Sequence, residues 1–118
     1  MADCIFCSIA SGEVETTLVG ESETAVAFRD QSPAAPVHVL VVPREHHESV
    51  AQMAVVDGQG VADLFALVGE VADGEGIAGT GYRVLTNTGA DAGQEVAHVH
   101  LHVVGGQPLG ALLSGSRG

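Results

Sequence analysis

Apolar and polar positions along this chain follow two periods, and each period predicts its own kind of element. From Val96 to Gly106 the residues read Val-Ala-His-Val-His-Leu-His-Val-Val-Gly-Gly. A period of two predicts a strand there, with His98, His100 and His102 on one face and Val99, Leu101 and Val103 on the other. Thr17–Gly20 and Thr24–Arg29 predict a hairpin turned at Glu21-Ser22-Glu23. Val37–Val42, nearly all β-branched or aliphatic, predicts a buried strand with His38 on the face of Leu40 and Val42. Tyr82–Asn87 predicts another, with Tyr82, Val84 and Thr86 opposite Arg83, Leu85 and Asn87.

The second period is helical. Val61, Leu64, Phe65, Val68 and Val71 recur so as to predict a main helix over Gln59–Asp73, laid on one face of the sheet. Its Ala62, Ala66 and Gly69 leave room for close approach, a second subunit being one candidate. Ile5–Ser11 predicts a short helix stopped by Gly12. Prolines, glycines and short polar residues mark Asp30–Pro36, Pro43–Glu48, Gly74–Gly81 and Thr88–Glu95 as connections, and Gln107–Gly118 as a frayed Gly/Ser-rich tail. The sum is an α+β fold: an antiparallel sheet of about five strands, one main helix and one short N-terminal helix. It forms a single domain over residues 1–118, with its core at about 4–106.

Composition narrows the partners. The 118 residues are 46 % hydrophobic and 16 % charged, as in a globular protein rather than a disordered one. There is no lysine, and four arginines stand against fifteen acids, for a net charge of −11. That balance excludes a basic footprint for nucleic acid and predicts repulsion from an anionic membrane. A bound anion must be held chiefly by backbone N–H groups, histidines or a metal. The N-terminal stretch shows no signal peptide and no window is apolar enough to span a bilayer, so the expected location is the cytoplasm.

The chemistry concentrates on the histidine stretch, which holds half of the six histidines. Neighbouring histidines on a strand lie about 6.6 Å apart and the outer two about 13 Å. With Zn–N bonds of about 2.0–2.1 Å, one ion cannot serve all three. Cys4 and Cys7 form a C-x-x-C pair. They read either as small core residues or as half of a tetrahedral site completed from His46, His47 and His98. His38 reads as a satisfied core histidine or as part of a site shared with the histidine stretch. The glycine-bearing loop before that stretch could cradle an anion.

His98-Val99-His100-Leu101-His102-Val103-Val104 resembles the signature of the histidine triad (HIT) family. Phe28–Pro33, Pro36–Pro43, and Asn87 with Gly93–Val96 resemble the family's ribose segment, central strand and phosphate loop, in the right order. Length and the Gly105-Gly106 ending resemble the Hint-like branch of purine nucleoside phosphoramidases. The resemblance implies that His100 attacks the α-phosphorus and becomes a transient nucleotidyl-histidine. His102 and His38 would line the phosphate pocket and help protonate the leaving amine, and Gln94 would contact phosphate. Asp30 would bind the ribose hydroxyls, Phe6, Val14 and Phe28 the base, and Asn87, Gly93, Gln94, Glu95 and Val96 would surround the phosphate. It further implies a homodimer and a structural Zn2+ on Cys4, Cys7, His46 and His98, with His46 preferred to His47 by its spacing from Pro43. Two positions depart from the family: Glu95 stands in place of the usual serine, and Gln31 in place of an apolar residue.

The leading functional expectation is a nucleotidyl hydrolase acting on nucleoside 5′-phosphoramidates of the AMP-lysine type or on aminoacyl-AMP-like compounds. The alternatives are a nucleotide-binding regulatory protein with incidental hydrolysis, and a metallohydrolase using strand histidines as catalytic ligands.

Overall fold

The aliphatic run Val37–Pro43 becomes β3, the centre of a five-stranded antiparallel sheet in the computed structural model, which describes residues 4–111. The order is β1 (Leu18–Glu21), β2 (Ala25–Arg29), β3, β5 (Leu101–Gly105), β4 (Tyr82–Leu85). Val41 pairs with Leu101, Leu40 with His102 and His38 with Val104, so β3 and β5 alternate in step.

This register sorts the two faces. Ala25, Ala27, Val39, Val41, Leu101 and Val103 point to one side, where α3 (Gly58–Gly74) buries Leu64, Leu67, Val68 and Val71 against them. Val26, Phe28, Leu40 and Val42 point to the other, where α1 (Ile5–Ser11) covers them with Phe6 and Ala10. Helix α1 stops as expected: Gly12 takes φ +86°, a left-handed conformation that closes the last turn, and donates to Ile9 O. Arg44 ties this layer down, donating from Nη1 to Ala10 O and from Nε to Ser22 O, with Nη2 on Glu21.

Four expectations need correction. The histidine strand begins at Leu101, not Val96. The chain from His98 to His100 runs beside the turn after β3, and Val99 N–H donates to His47 O at 2.7 Å. Alternation fixed which face each side chain takes, but not the ladder pairing. Strand β4 ends at Leu85, because the Thr86 hydroxyl turns to donate to His100 O at 2.9 Å. A short helix, α2 (Val50–Val56), precedes α3 where none was expected, capped by Ser49 Oγ at Gln52 N–H. Phe65 leaves the apolar stripe of α3 and is 50 % exposed, while Leu67 takes the buried place. The expected frayed tail falls largely at 112–118, outside the described residues. No helix among the described residues is long and apolar enough to cross a membrane.

Candidate active site

The second sheet face is only half covered. Helix α1 lies over β2 and β3, leaving the β5–β4 half open, and a row of imidazoles runs from one half to the other. Phe6 stands edge-on to His100 with ring centres 5.0 Å apart. His100 to His102 is 5.1 Å and His102 to His38 is 5.2 Å. These contacts come from β3 and β5 being neighbours in register and from α1 resting its one buried aromatic on the stretch before β5.

Hydrogen bonds fix the tautomers. His100 Nδ1 lies 2.8 Å from His98 O, so it carries the proton and leaves Nε2 with a free lone pair. Ala34 N–H donates to His38 Nδ1 at 2.9 Å, which puts the proton of neutral His38 on Nε2. That proton is donated to His102 Nδ1 at 2.9 Å, so neutral His102 holds its own proton on Nε2. The result is one imidazole with an available lone pair beside one with an available N–H. Burial lowers the pKa of His102, with the neighbouring His100 and His38 adding to the effect and Asp30 opposing it. Asp30 Oδ2 lies 3.5 Å from His38 Nε2, and Asp30 Oδ1 accepts from Ser32 N–H.

The remaining members of the expected site fall into place unevenly. Phe6 and Phe28 meet edge-on at 5.7 Å and are both buried, whereas Val14 lies past α1 and is 38 % exposed. Asn87 and Gly93 sit on the loop between β4 and β5, and Gly93 adopts φ +79°, a conformation that the turn there requires of glycine. Glu95 is exposed, while Val96 packs against the Phe6 cluster. Gln94 is committed to backbone, in its own loop and in the connection after β3. Its Oε1 accepts from Gly89 N–H at 2.8 Å, and its Nε2 donates to Glu48 O and Val96 O. Sequence reasoning pointed this carboxamide at phosphate, yet here it shapes the loop. Thr86, which fastens His100 O, was missed, since nothing in a lone threonine signals such a contact.

Behind the imidazole row, Cys4, Cys7, His46 and His98 converge with all four ligand atoms within 4.8 Å of one another. Cys4 Sγ lies 3.2 Å from His98 Nδ1, and Cys7 Sγ lies 3.3 Å from His46 Nδ1. A tetrahedral ion with S bonds of about 2.3 Å and N bonds of about 2.0–2.1 Å needs S–N edges of about 3.5 Å. His98 Nε2–H donates to Pro43 O at 2.9 Å, which frees Nδ1 for the cluster, as an outer-shell partner does for a ligating histidine. His47 is turned away, with Nε2 3.0 Å from Glu45. This donor set can hold one ion, and His100 is not part of it.

A HIT domain model matches residues 11–109. The chain belongs to the HIT family. Among similar proteins is the purine nucleoside phosphoramidase of Escherichia coli K12, 37 % identical over 112 residues that cover 95 % of this chain and 94 % of that one. A HIT family hydrolase from Clostridium thermocellum superposes with a TM-score of 0.91 at 40 % identity, covering 96 % of this chain and 99 % of the other. A histidine triad nucleotide-binding protein from Candida albicans gives 0.79 at 29 % identity, with 92 % and 85 % covered. This HIT protein thus shares both sequence and architecture with hydrolases over nearly its whole length.

Proposed function

We propose that this HIT protein hydrolyses purine nucleoside 5′-phosphoramidates and related nucleotidyl compounds through a nucleotidyl-histidine on His100. The observation that carries this is the orientation of His100, whose Nδ1–H is tied to His98 O while Nε2 keeps its lone pair next to His102. In the first half, His100 Nε2 bonds to phosphorus as the P–N bond breaks, and the departing amine takes that electron pair with one proton. The neutral His38–His102 pair holds one proton on each ring, so His102 can give one without becoming an anion only after the phosphate's negative charge has drawn a third onto the pair. In the second half, water adds to phosphorus, its proton returns to the pair and the P–Nε2 bond breaks. Asp30 binds the ribose hydroxyls, Phe6 and Phe28 with Val14 receive the base, and the Asn87 and Gly93–Val96 loop surrounds the phosphate.

Cys4, Cys7, His46 and His98 would hold Zn2+, a fit supported by the two thiols, the two free Nδ1 atoms and the edge lengths. Such a closed set supplies folding energy rather than Lewis acidity. We also propose a homodimer, for which β4 offers an unpaired sheet edge and α3 its exposed Phe65.

The test is mass analysis of protein quenched during turnover of a labelled AMP-amine compound. Label on the His100 peptide, lost in His100→Asn while that variant still binds AMP, is expected; turnover with no labelled His100 would sink the covalent reading. Asp30, His38 and His102 also place ligand atoms within 4.8 Å of each other, which favours as second reading a metallohydrolase on these groups. Immediate loss of turnover on adding chelator to protein that stays folded would select it.

A further inference from the structure

The open half of the sheet holds a cleft of about 360 Å³, of which the proposed chemistry uses only His38 and His102. Its lining includes His38 from β3, His102 and Val104 from β5, Arg83 and Leu85 from β4, and Ala35. Register sets Phe28 on the β2 side of the imidazole row and Arg83 and Leu85 on its β4 side, so the cleft lies across the row from the proposed base site.

Arg83 is out of character for the chain. Among the described residues Arg29 is paired with Glu75 and Arg44 with Glu21, whereas Arg83 has only a carbonyl, Gly110 O, at 2.7 Å from Nη2. One arm of the fork is thereby fixed and the remaining N–H groups are left to the cleft. In a protein of net charge −11, this is a cation set in the same cleft as His102. Register gives the reach. Arg83 faces Val104 while Leu85 faces His102, which places Arg83 one diagonal from His102, roughly 7–8 Å between backbones.

We infer that the cleft is a subsite for a leaving amine that carries a carboxylate, so that the preferred substrates are nucleoside phosphoramidates P–N-linked to an amino acid with its carboxyl group free. This rests on the hydrolase reading above. A guanidinium fork meets a carboxylate with two parallel charge-assisted hydrogen bonds, and a fork already anchored at one arm loses less freedom in doing so. An amino acid spans the gap, with its nitrogen at phosphorus beside His102 and its carboxylate one carbon further toward Arg83. A leaving group with a second cation would instead meet Arg83 as a like charge. The AMP-lysine class is therefore disfavoured unless its amino acid carboxylate is free.

The experiment compares kcat/KM for three AMP phosphoramidates of similar size: those of glycine, glycinamide and ethylenediamine. The carboxylate compound is expected to exceed the neutral amide by about tenfold, the scale of one charge-assisted hydrogen bond, with the cationic compound slowest. In Arg83→Met the carboxylate-to-amide ratio falls to about one; in Arg83→Lys, which keeps the charge but not the fork, it lies between. The Lys variant also carries the test if the Met variant does not fold. A wild-type ratio near one, or a ratio unchanged in both variants, overturns the inference while leaving the hydrolase standing. If the wild type turns over none of the three, the hydrolase reading falls and takes this one with it.

Discussion

Three hydrogen bonds converge on the Gln94 side chain: two hold the loop between β4 and β5 at Gly89 and Val96, and the third ties that loop to Glu48 in the connection after β3. Replacing it with Ala leaves Gly89 N–H, Glu48 O and Val96 O to find water. At about 0.5–1.5 kcal/mol per bond, a stability loss of about 1.5–4.5 kcal/mol is expected in urea denaturation. The rate constant kcat should fall at least tenfold, because the loop proposed to surround phosphate loses its shape; unchanged kinetics would show that the loop is held by its glycines alone. His102 makes a prediction of another kind. Its pKa is lowered in the fold, so below the ordinary 6.5 the unfolded chain binds more protons at this position than the folded one. The neutral ring therefore stabilises fully above about pH 6.5, and the contribution is lost as pH falls from there through the lowered folded value. Stability of the wild type should drop more steeply across that window than stability of His102→Gln, and parallel curves would refute it. Histidines at a spacing of two and a C-x-x-C pair were legible because they are chemically conspicuous, whereas Asp30 entered only through the family resemblance. What Gln94 and Thr86 do was hidden, since an amide or a hydroxyl can bond backbone as readily as ligand.

At the level of elements, α1 is the piece held most by its ends. Only Phe6 and Ala10 of its seven residues are buried, and no charged side chain supports its dipole. Its N-terminal turn carries both thiols of the candidate metal cluster, with Cys4 Sγ capping Cys7 N–H at 3.3 Å. An ion there would clamp α1 to His98, and through Phe6 to the ring of His100. Cys7→Ser should abolish stoichiometric Zn2+ binding by equilibrium dialysis and lower the melting temperature by several degrees, with amide exchange quickening first in residues 5–11. Full zinc occupancy in that variant would mean that the cluster is not the site. Most elements were legible for one reason: burial on one side imposes a period. Where burial is slight, the signal fades. In α2 only Met53 is buried and Val50 packs partly against the core, while the exposed Val55 and Val56 spoil the helical stripe, and the helix is declared mainly by the Ser49 cap. The stretch before β5 failed in the opposite way. Its alternation is perfect, but Val99 bonds the turn after β3 rather than a ladder partner, and side-chain periodicity carries no information on that choice.

For the whole molecule, the question is which surface a second copy would take. The sheet has two free edges among the described residues, β1 and β4. The pairing of β1 is interrupted by an irregularity between Leu18 and Gly20, a device that blunts an edge, whereas β4 pairs regularly through all four of its residues. Helix α3 presents Phe65, 50 % exposed, among the small residues Ala62, Ala66 and Gly69. A two-fold pairing through β4 would bury that aromatic and extend the sheet without a break. Each protomer carries a net charge of −11, so such a dimer forms against long-range repulsion that salt screens. Sedimentation equilibrium should therefore show a dimer that tightens as salt is added, and Phe65→Glu should weaken it by a factor of ten or more. A wild type that stays monomeric at every salt concentration removes the proposal. If the dimer does use β4, Leu85 and Arg83 lie at its seam. Phe65→Glu, on a helix packed against the opposite sheet face from α1, should then raise KM for carboxylate-bearing phosphoramidates more than it weakens AMP binding, since the proposed leaving-group cleft is lined by Arg83 and Leu85 at that seam.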